Sequence, residues 1–155
     1  MIETLRHAPL FVLKLNVGYD RAVHVGDPRA GGRSVFPVDG GSFEGARMRG
    51  LVDPGGADWV TWRGDGAMLI DVRLTLTTHD GAAIGMTYQG LAHGEPAAMA
   101  RFRSRELLAF QDIHVRTAIR FETGDPRYAD LNTLIAIGQG MRTAEGPVYH
   151  VFAIR

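Results

Sequence analysis

Alternation of apolar and polar residues runs through most of this chain with a period of two, which predicts β-strands. The clearest example is AMLIDVRLTLTT, residues 67–78, where apolar side chains occupy every second position from Met68 to Leu76. Most of the intervening positions are polar or charged, and they include Asp71 and Arg73. A strand with this pattern has one apolar face and one polar face.

Similar runs recur along the chain and are separated by turns rich in glycine and proline. They predict further strands over residues 9–18, 33–37, 42–52, 58–63, 84–91, 114–124, 133–142 and 147–154. Residues 27–45 are so rich in turn formers that we expect a long loop there, holding only the short strand near 33–37. Residues 95–110 contain good helix formers, and Pro96 suits a first helical turn, so one short helix is predicted.

Eight or nine antiparallel strands with one short helix predict a single all-β domain over residues 1–155. The chain shows no alternation of strands with helices, no internal repeat and no linker. Strands in this number form either a sandwich or a barrel. We favour a closed or nearly closed antiparallel β-barrel, because closure removes exposed strand edges and the scattered glycines suit its bends.

Composition excludes several classes of function. Lysine plus arginine equals aspartate plus glutamate at 17 each, which argues against nucleic-acid binding and against a polybasic membrane contact. No apolar run is long enough for a membrane span and no signal peptide is recognisable, so we expect a cytoplasmic protein. Only Lys14 is a lysine, and since lysine often guards strand edges, the sequence is compatible with a homo-oligomer.

Familiar catalytic motifs are missing. There is no cysteine, no phosphate-binding loop and no nucleophile elbow. The six histidines show neither the helical nor the strand spacing of a metal-binding pair. We therefore expect no cofactor and no metal, with a histidine–carboxylate metal site assembled across strands as the alternative.

Ionic side chains share one face of the strand predicted over 114–124. Arg116, Arg120 and Glu122 have the same parity, as do Asp71 and Arg73 on the strand over 67–78. One interpretation places them inside the barrel, where arginine forks hold an anion and a carboxylate moves a proton. The other interpretation is a solvated outer face with ion pairs worth under ~1 kcal/mol each.

Several motifs in a fixed order resemble one known family. They are GGSFEG, PGGADW, IDVR, VRTAIRFETGDPRYADLN and VYHVF. Together they resemble the bacterial and fungal family of the domain of unknown function 3237, from about Pro9 to the end of the chain. This resemblance implies a small antiparallel β-barrel and brings no established activity. The residues that match the shared pattern are Glu44, Gly56, Asp58, Trp59, Asp71, Arg73, Arg116, Thr117, Phe121, Glu122, Tyr128 and Asn132.

Two functions follow from these patterns. The first is a cofactor-independent enzyme that binds a small, partly apolar acid or ketone and catalyses isomerisation, cyclisation or lactone opening. Asp71 or Glu122 is the predicted acid or base, and Tyr88 the predicted donor to an oxyanion. The predicted ligand-binding residues are Arg73, Arg116, Arg120, Glu44, Asp58 and Asn132. The second function is a non-catalytic barrel that binds a small ligand or serves a structural, oligomerising role.

Overall fold

Ten β-strands account for most of the chain in the computed structural model, which describes residues 1–155. The strands are β1 (His7–Val17), β2 (Val23–Val25), β3 (Arg33–Glu44), β4 (Arg49–Val52), β5 (Gly56–Trp62), β6 (Met68–Thr78), β7 (Ala83–His93), β8 (His114–Glu122), β9 (Ile135–Arg142) and β10 (Pro147–Ile154). One α-helix, α1 (Pro96–Arg103), lies between β7 and β8. This helix is too short to cross a membrane, and no other helix is long and apolar enough to do so.

Eight of the strands close into an antiparallel barrel. The order around the ring is β1, β10, β9, β8, β7, β6, β5 and β3, and β3 pairs with β1 to complete it. The short strands β2 and β4 are additional to this ring; β2 pairs with β3, and β4 lies between β3 and β6. The predicted all-β fold and its antiparallel barrel are therefore confirmed.

The apolar faces of the strands point into the barrel. On β6 every second side chain from Met68 to Leu76 is buried, and on β8 Val115 and Ile119 are buried in the same way. These residues belong to one cluster of 31 buried side chains. Removal of this apolar surface from water is what fixes the inward face of each strand.

The two ends of the barrel differ. At one end large side chains fill the interior, among them Phe43, Met48 and Leu131. A 3-10 helical segment, Pro126–Thr133, covers this end, and its Tyr128 hydroxyl donates a hydrogen bond of 2.9 Å to Asp80. The opposite end is hollow and holds the candidate site.

The predicted loop over 27–45 is wrong, because β3 continues as a strand from Arg33 to Glu44. Gly40 and Gly41 are the reason for the error. They lie in the strand where β1 comes very close: a Cβ atom on Gly41 would be 2.0 Å from the Lys14 carbonyl oxygen. Glycine is needed there for close packing of strands and does not form a turn.

Two further boundaries differ from the prediction. The strand predicted over 42–52 is split by a turn, in which the Gly45 N–H donates to the Met48 carbonyl at 2.9 Å. The helix predicted over 95–110 ends at Arg103, and Arg105 then adopts a left-handed conformation with φ 60°. A left-handed residue cannot continue a right-handed helix.

Gly140 on β9 is predicted to be essential for packing of the hollow end. A Cβ atom there would lie 2.7 Å from Val115 Cγ1 and 2.8 Å from Tyr149 Cε1. We expect Gly140→Ala to lower the free energy of unfolding by about 1–3 kcal/mol in urea denaturation, because the core must shift to admit the methyl group. Gly124→Ala is the matched control, since nothing lies within 4 Å of its Cβ position. Equal stability of the two variants would contradict this packing.

Candidate functional site

The hollow end of the barrel forms a cavity of about 890 Å³. Its walls come from the ends of the strands at this side of the barrel, while α1 and the Tyr19–Arg21 turn stand at its mouth. Aromatic side chains supply much of the wall: Tyr19, Phe36, Trp62, Phe102 and Tyr149. The volume and the mainly apolar lining are those of a site for a small organic molecule.

Asp58 brings a carboxyl group to this cavity. It points inward from β5 because it has the same parity as the buried Val60. Burial raises the pKa of Asp58 to about 7. The Asp71 backbone N–H donates to Asp58 Oδ1 at 3.3 Å and opposes this rise, the Asp71 charge adds to it, and the Arg142 charge opposes it. The carboxyl group therefore exists in both protonation states near neutral pH.

Arg142 is a buried cation in the same cavity. Its side chain leaves the end of β9, and the backbone of Arg142 is held in place by hydrogen bonds of 3.0 Å in both directions with Leu108. The guanidinium carbon lies 4.8 Å from the Tyr19 ring centre and 4.6 Å from the Phe102 ring centre. Burial lowers the pKa of Arg142, and no carboxylate forms an ion pair with it.

Tyr88 and Tyr149 stack edge to face below the cavity, with their ring centres 5.4 Å apart. Burial raises the pKa of both hydroxyl groups, which therefore stay protonated at neutral pH and can donate hydrogen bonds. Three buried polar atoms have no partner in the protein: the Tyr88 hydroxyl, the Thr117 hydroxyl and Arg142 Nε. Of the three residues only Arg142 lines the cavity, and because buried polar groups are nearly always hydrogen-bonded, its Nε points to a guest there.

The predicted ionic cluster lies on the other side of the barrel wall. Asp71, Arg73, Arg116, Arg120 and Glu122 alternate with buried residues and face outward. The sequence left the orientation of this face open, and the structure places it outside because the opposite face is apolar. The interpretation that placed these residues inside the barrel is therefore wrong. They lie on the outer face, as in the alternative interpretation, but no ion pair joins Asp71 to Arg73 or Arg120 to Glu122.

Some of the predicted residues still lie near one another on the outer wall. Asp71, Arg73 and Glu122 line an open groove of about 610 Å³ that also includes Trp59. Arg116 bends back to donate a hydrogen bond of 2.9 Å to the Val115 carbonyl. These side chains are solvated or half-buried and lie outside the cavity that holds Asp58.

The remaining predicted residues divide between the two sides of the wall. Tyr88 points inward and is buried below the cavity without lining it, whereas Asp58 lines the cavity. Glu44 is exposed at the end of β3. Asn132 is exposed too, and it braces a turn: its Oδ1 accepts from the Thr123 N–H at 2.8 Å and its Nδ2 donates to the Thr123 carbonyl at 3.0 Å.

Sequence reasoning missed Arg142, Tyr149 and Tyr19. A signal for Arg142 was present, because it follows Ala136, Gly138 and Gly140 on a face whose other members are small and uncharged. A lone charged residue on such an inward-facing surface needs polar partners from the protein or from a ligand, because bulk water does not reach it. No three histidine, aspartate or glutamate side chains lie close enough together to hold a metal ion.

A family model matches residues 6–154 of the chain, and the family is DUF3237, described as "Protein of unknown function". The chain belongs to the DUF3237 family. The resemblance that the sequence motifs suggested is therefore confirmed. A UPF0311 protein of Rhodopseudomonas palustris is 27% identical over 154 residues, with 99% of each chain covered.

Solved structures share this barrel. A crystal structure of a conserved protein of unknown function from Rhodopseudomonas palustris has a TM-score of 0.92 at 27% identity, covering 99% of this DUF3237 chain and 100% of its own. A β-barrel like protein from Acinetobacter baumannii has a TM-score of 0.83 at 26% identity, covering 100% and 99%. A structure described as an enzyme from Penicillium herquei has a TM-score of 0.75 at 22% identity, covering 100% and 98%, and shows the fold alone.

The raised pKa of Asp58 is predicted to make the protein less stable as the pH rises. The folded state binds more protons than the unfolded state between pH 3.8 and about 7, so stability is lost across this window and the loss is complete above it. We expect Asp58→Asn, which removes the charge, to raise the free energy of unfolding at pH 8 by a few kcal/mol, with about 1.4 kcal/mol per pKa unit as the upper bound. At pH 4 the difference should be small.

Urea denaturation at both pH values measures this difference in the free energy of unfolding. Asp65→Asn is a control for which the change in stability at pH 8 should have the opposite sign. Hydrogen bonding to Arg63 lowers the pKa of Asp65 to about 2, so loss of that carboxylate should weaken the protein at pH 8. An Asp58→Asn variant that is less stable than the wild type at pH 8 would contradict the assignment of Asp58 as a strained, buried carboxyl group.

Proposed function

We propose that this protein is an enzyme that binds a small, partly apolar acid or ketone in the barrel and catalyses proton transfer with Asp58. The proposal rests on one observation. The Asp58 carboxyl group, with a pKa of about 7, and the buried Arg142, which has no ion-pair partner, line the same mainly apolar cavity. Perturbed ionisable groups in a cavity are a recognised sign of a catalytic site.

Arg142 is the proposed anchor for the ligand's carboxylate or carbonyl oxygen. Its guanidinium group stacks against Tyr19 and Phe102, so its ring contacts fix the group in place while Nε remains without a partner. A charged group held in a low-dielectric cavity attracts an anion more strongly than one in water. A bound carboxylate would supply the ion-pair partner that Arg142 lacks in the protein.

Asp58 is the proposed proton carrier. Its pKa near neutrality lets it take a proton from a carbon next to a carbonyl group and return it elsewhere, as in isomerisation or cyclisation. The same group could remove a proton from the water that opens a lactone. Tyr149, protonated at neutral pH, is the proposed donor to the oxyanion that forms, and Tyr88 packs against its ring.

The description of the Penicillium herquei structure as an enzyme supports this proposal by analogy of fold. The same cavity would also suit a carrier that binds a ligand and leaves it unchanged. Binding and turnover must therefore be measured separately.

The test is a panel of small carboxylates, ketones and lactones, screened first by thermal shift and then by chromatography for product. With a compound that reacts, we expect Asp58→Asn to bind it but to lose about 10²–10⁴-fold in kcat, the range of general acid–base catalysis. Arg142→Gln should raise KM at least about tenfold, which corresponds to loss of a charge-assisted hydrogen bond.

A matched control comes from the outer wall. Glu122→Gln alters a carboxylate on the other face of the barrel that does not act on the pKa of Asp58, and it is expected to leave kcat unchanged. Loss of turnover in this variant together with full activity in Asp58→Asn would contradict the proposed site. Ligands that bind through Arg142 without any reaction would identify a carrier.

A further inference from the structure

We infer that the ligand of this cavity carries two anionic groups, one bound by Arg142 inside the barrel and one bound by Arg103 and Arg105 at its mouth. This inference rests on the function proposed above and adds the chemical class of the ligand. It follows from the distribution of charge around the cavity, from the stacking of the mouth arginines and from the backbone at Arg105.

Positive charge is concentrated at the cavity. Five arginines line it, Arg29, Arg63, Arg103, Arg105 and Arg142, against a single acidic residue, Asp58. The whole chain has 17 basic and 17 acidic residues, so this excess is local. A cleft lined by one sign of charge attracts ligands of the other sign.

Elsewhere in the structure four of eleven arginines have acidic partners: Arg21, Arg47, Arg101 and Arg127. Arg21 pairs with Asp39, and Arg127 pairs with Asp125 at 2.7 Å. Around the cavity only Arg63 has such a partner, Asp65 at 2.6 Å. The other four arginines that line the cavity form no ion pair with the protein.

The mouth arginines, Arg103 and Arg105, each place the guanidinium group over an aromatic ring. The guanidinium carbon of Arg103 lies 4.0 Å from the Trp62 ring centre, and that of Arg105 lies 4.9 Å from the Tyr19 ring centre. A guanidinium group that stacks on an aromatic ring keeps its N–H donors directed outward in its own plane. Both groups are therefore oriented and free to bind a carboxylate, sulfate or phosphate group.

The backbone at Arg105 is unusual. Its φ of 60° makes it the one non-glycine residue of the chain with a positive φ. Such conformations persist where the surrounding structure imposes them and are common at ligand sites. Here the left-handed turn follows the end of α1 and brings the side chain back over Tyr19, the ring that Arg142 also contacts.

Neighbouring like charges would be relieved by an anionic guest. Burial is the main cause that lowers the pKa of Arg142, and the charge of Arg105 lowers it further. A ligand with one anionic group would compensate only the inner arginine. A ligand with a second anionic group, separated from the first by an apolar frame, would compensate the arginines at both depths while its frame contacts the aromatic wall.

Two rigid probes that differ by one carboxylate test the inference: biphenyl-4-carboxylate and biphenyl-4,4′-dicarboxylate. Titration calorimetry at low ionic strength measures their affinities for the intact protein. We expect the dicarboxylate to bind at least about tenfold more tightly, the effect of one additional charge-assisted contact, and the ratio to shrink as salt screens the exposed mouth.

Variants locate the two groups. In Arg103→Gln/Arg105→Gln the ratio should fall to about one, while the monocarboxylate still binds because Arg142 is untouched. Arg142→Gln should weaken both probes. Arg101→Gln is the control, because Arg101 lies on the same helix, pairs with Glu106 at 3.9 Å and does not line the cavity. This control should leave the ratio unchanged.

The possible failures are distinguishable. The two probes could bind the wild-type protein with equal affinity and lose binding in Arg142→Gln. That result would overturn the inference of a second anionic group and leave the proposed function intact. A preference that survives in Arg103→Gln/Arg105→Gln would also overturn the assignment. Absence of binding by both probes would overturn this inference together with Arg142 as the anchor of the proposed function.

Discussion

Burial of ionisable groups without ion-pair partners is the constraint on which the hollow end of this barrel depends. Placing a charged group away from water is costly unless other groups replace its hydration. Asp58 responds through a raised pKa, and Arg142 responds by stacking between Tyr19 and Phe102. Neither response gives Arg142 an ion-pair partner, so the cavity of the free protein holds a buried cation that a bound anion would neutralise. This unmet charge is what links the fold to a function.

The division of the barrel into a filled end and a hollow end makes that arrangement sustainable. Large side chains such as Phe43, Met48 and Leu131 pack one end, and the Pro126–Thr133 segment closes it. The stability of this packed half can offset the cost of polar groups in the other half. Small residues on β9, Gly138 and Gly140, leave room for the Tyr149 ring between the two halves.

The sequence predicted the strands well because a period of two is a direct consequence of the pleated backbone. It predicted the barrel from the number of strands and from the absence of helices between them. The loop over 27–45 failed because glycine serves both turns and close strand packing, and its role depends on the neighbouring strand. That neighbour, the part of β1 around Lys14, is distant in sequence.

The candidate site was predicted only in part, for a physical reason. Arg116, Arg120 and Glu122 attract attention because they cluster on one face, yet a cluster of charges is most easily accommodated in solvent. Functional polar groups inside a barrel appear instead as single exceptions on an apolar or small-residue face. Asp58 beside Val60 and Arg142 after Gly140 have that pattern, and of the two only Asp58 was predicted.

The most direct test of this account is the pKa of the Asp58 carboxyl group in the free protein. Carbon-13 NMR of the aspartate side-chain carboxyl groups can follow its titration, with the resonance assigned by its loss in Asp58→Asn. The account predicts a midpoint of about 7, well separated from the value of about 2 expected for Asp65 and Asp125. A midpoint near the ordinary aspartate value of about 3.9 would show that the Asp58 carboxyl group is well solvated and would contradict the central claim.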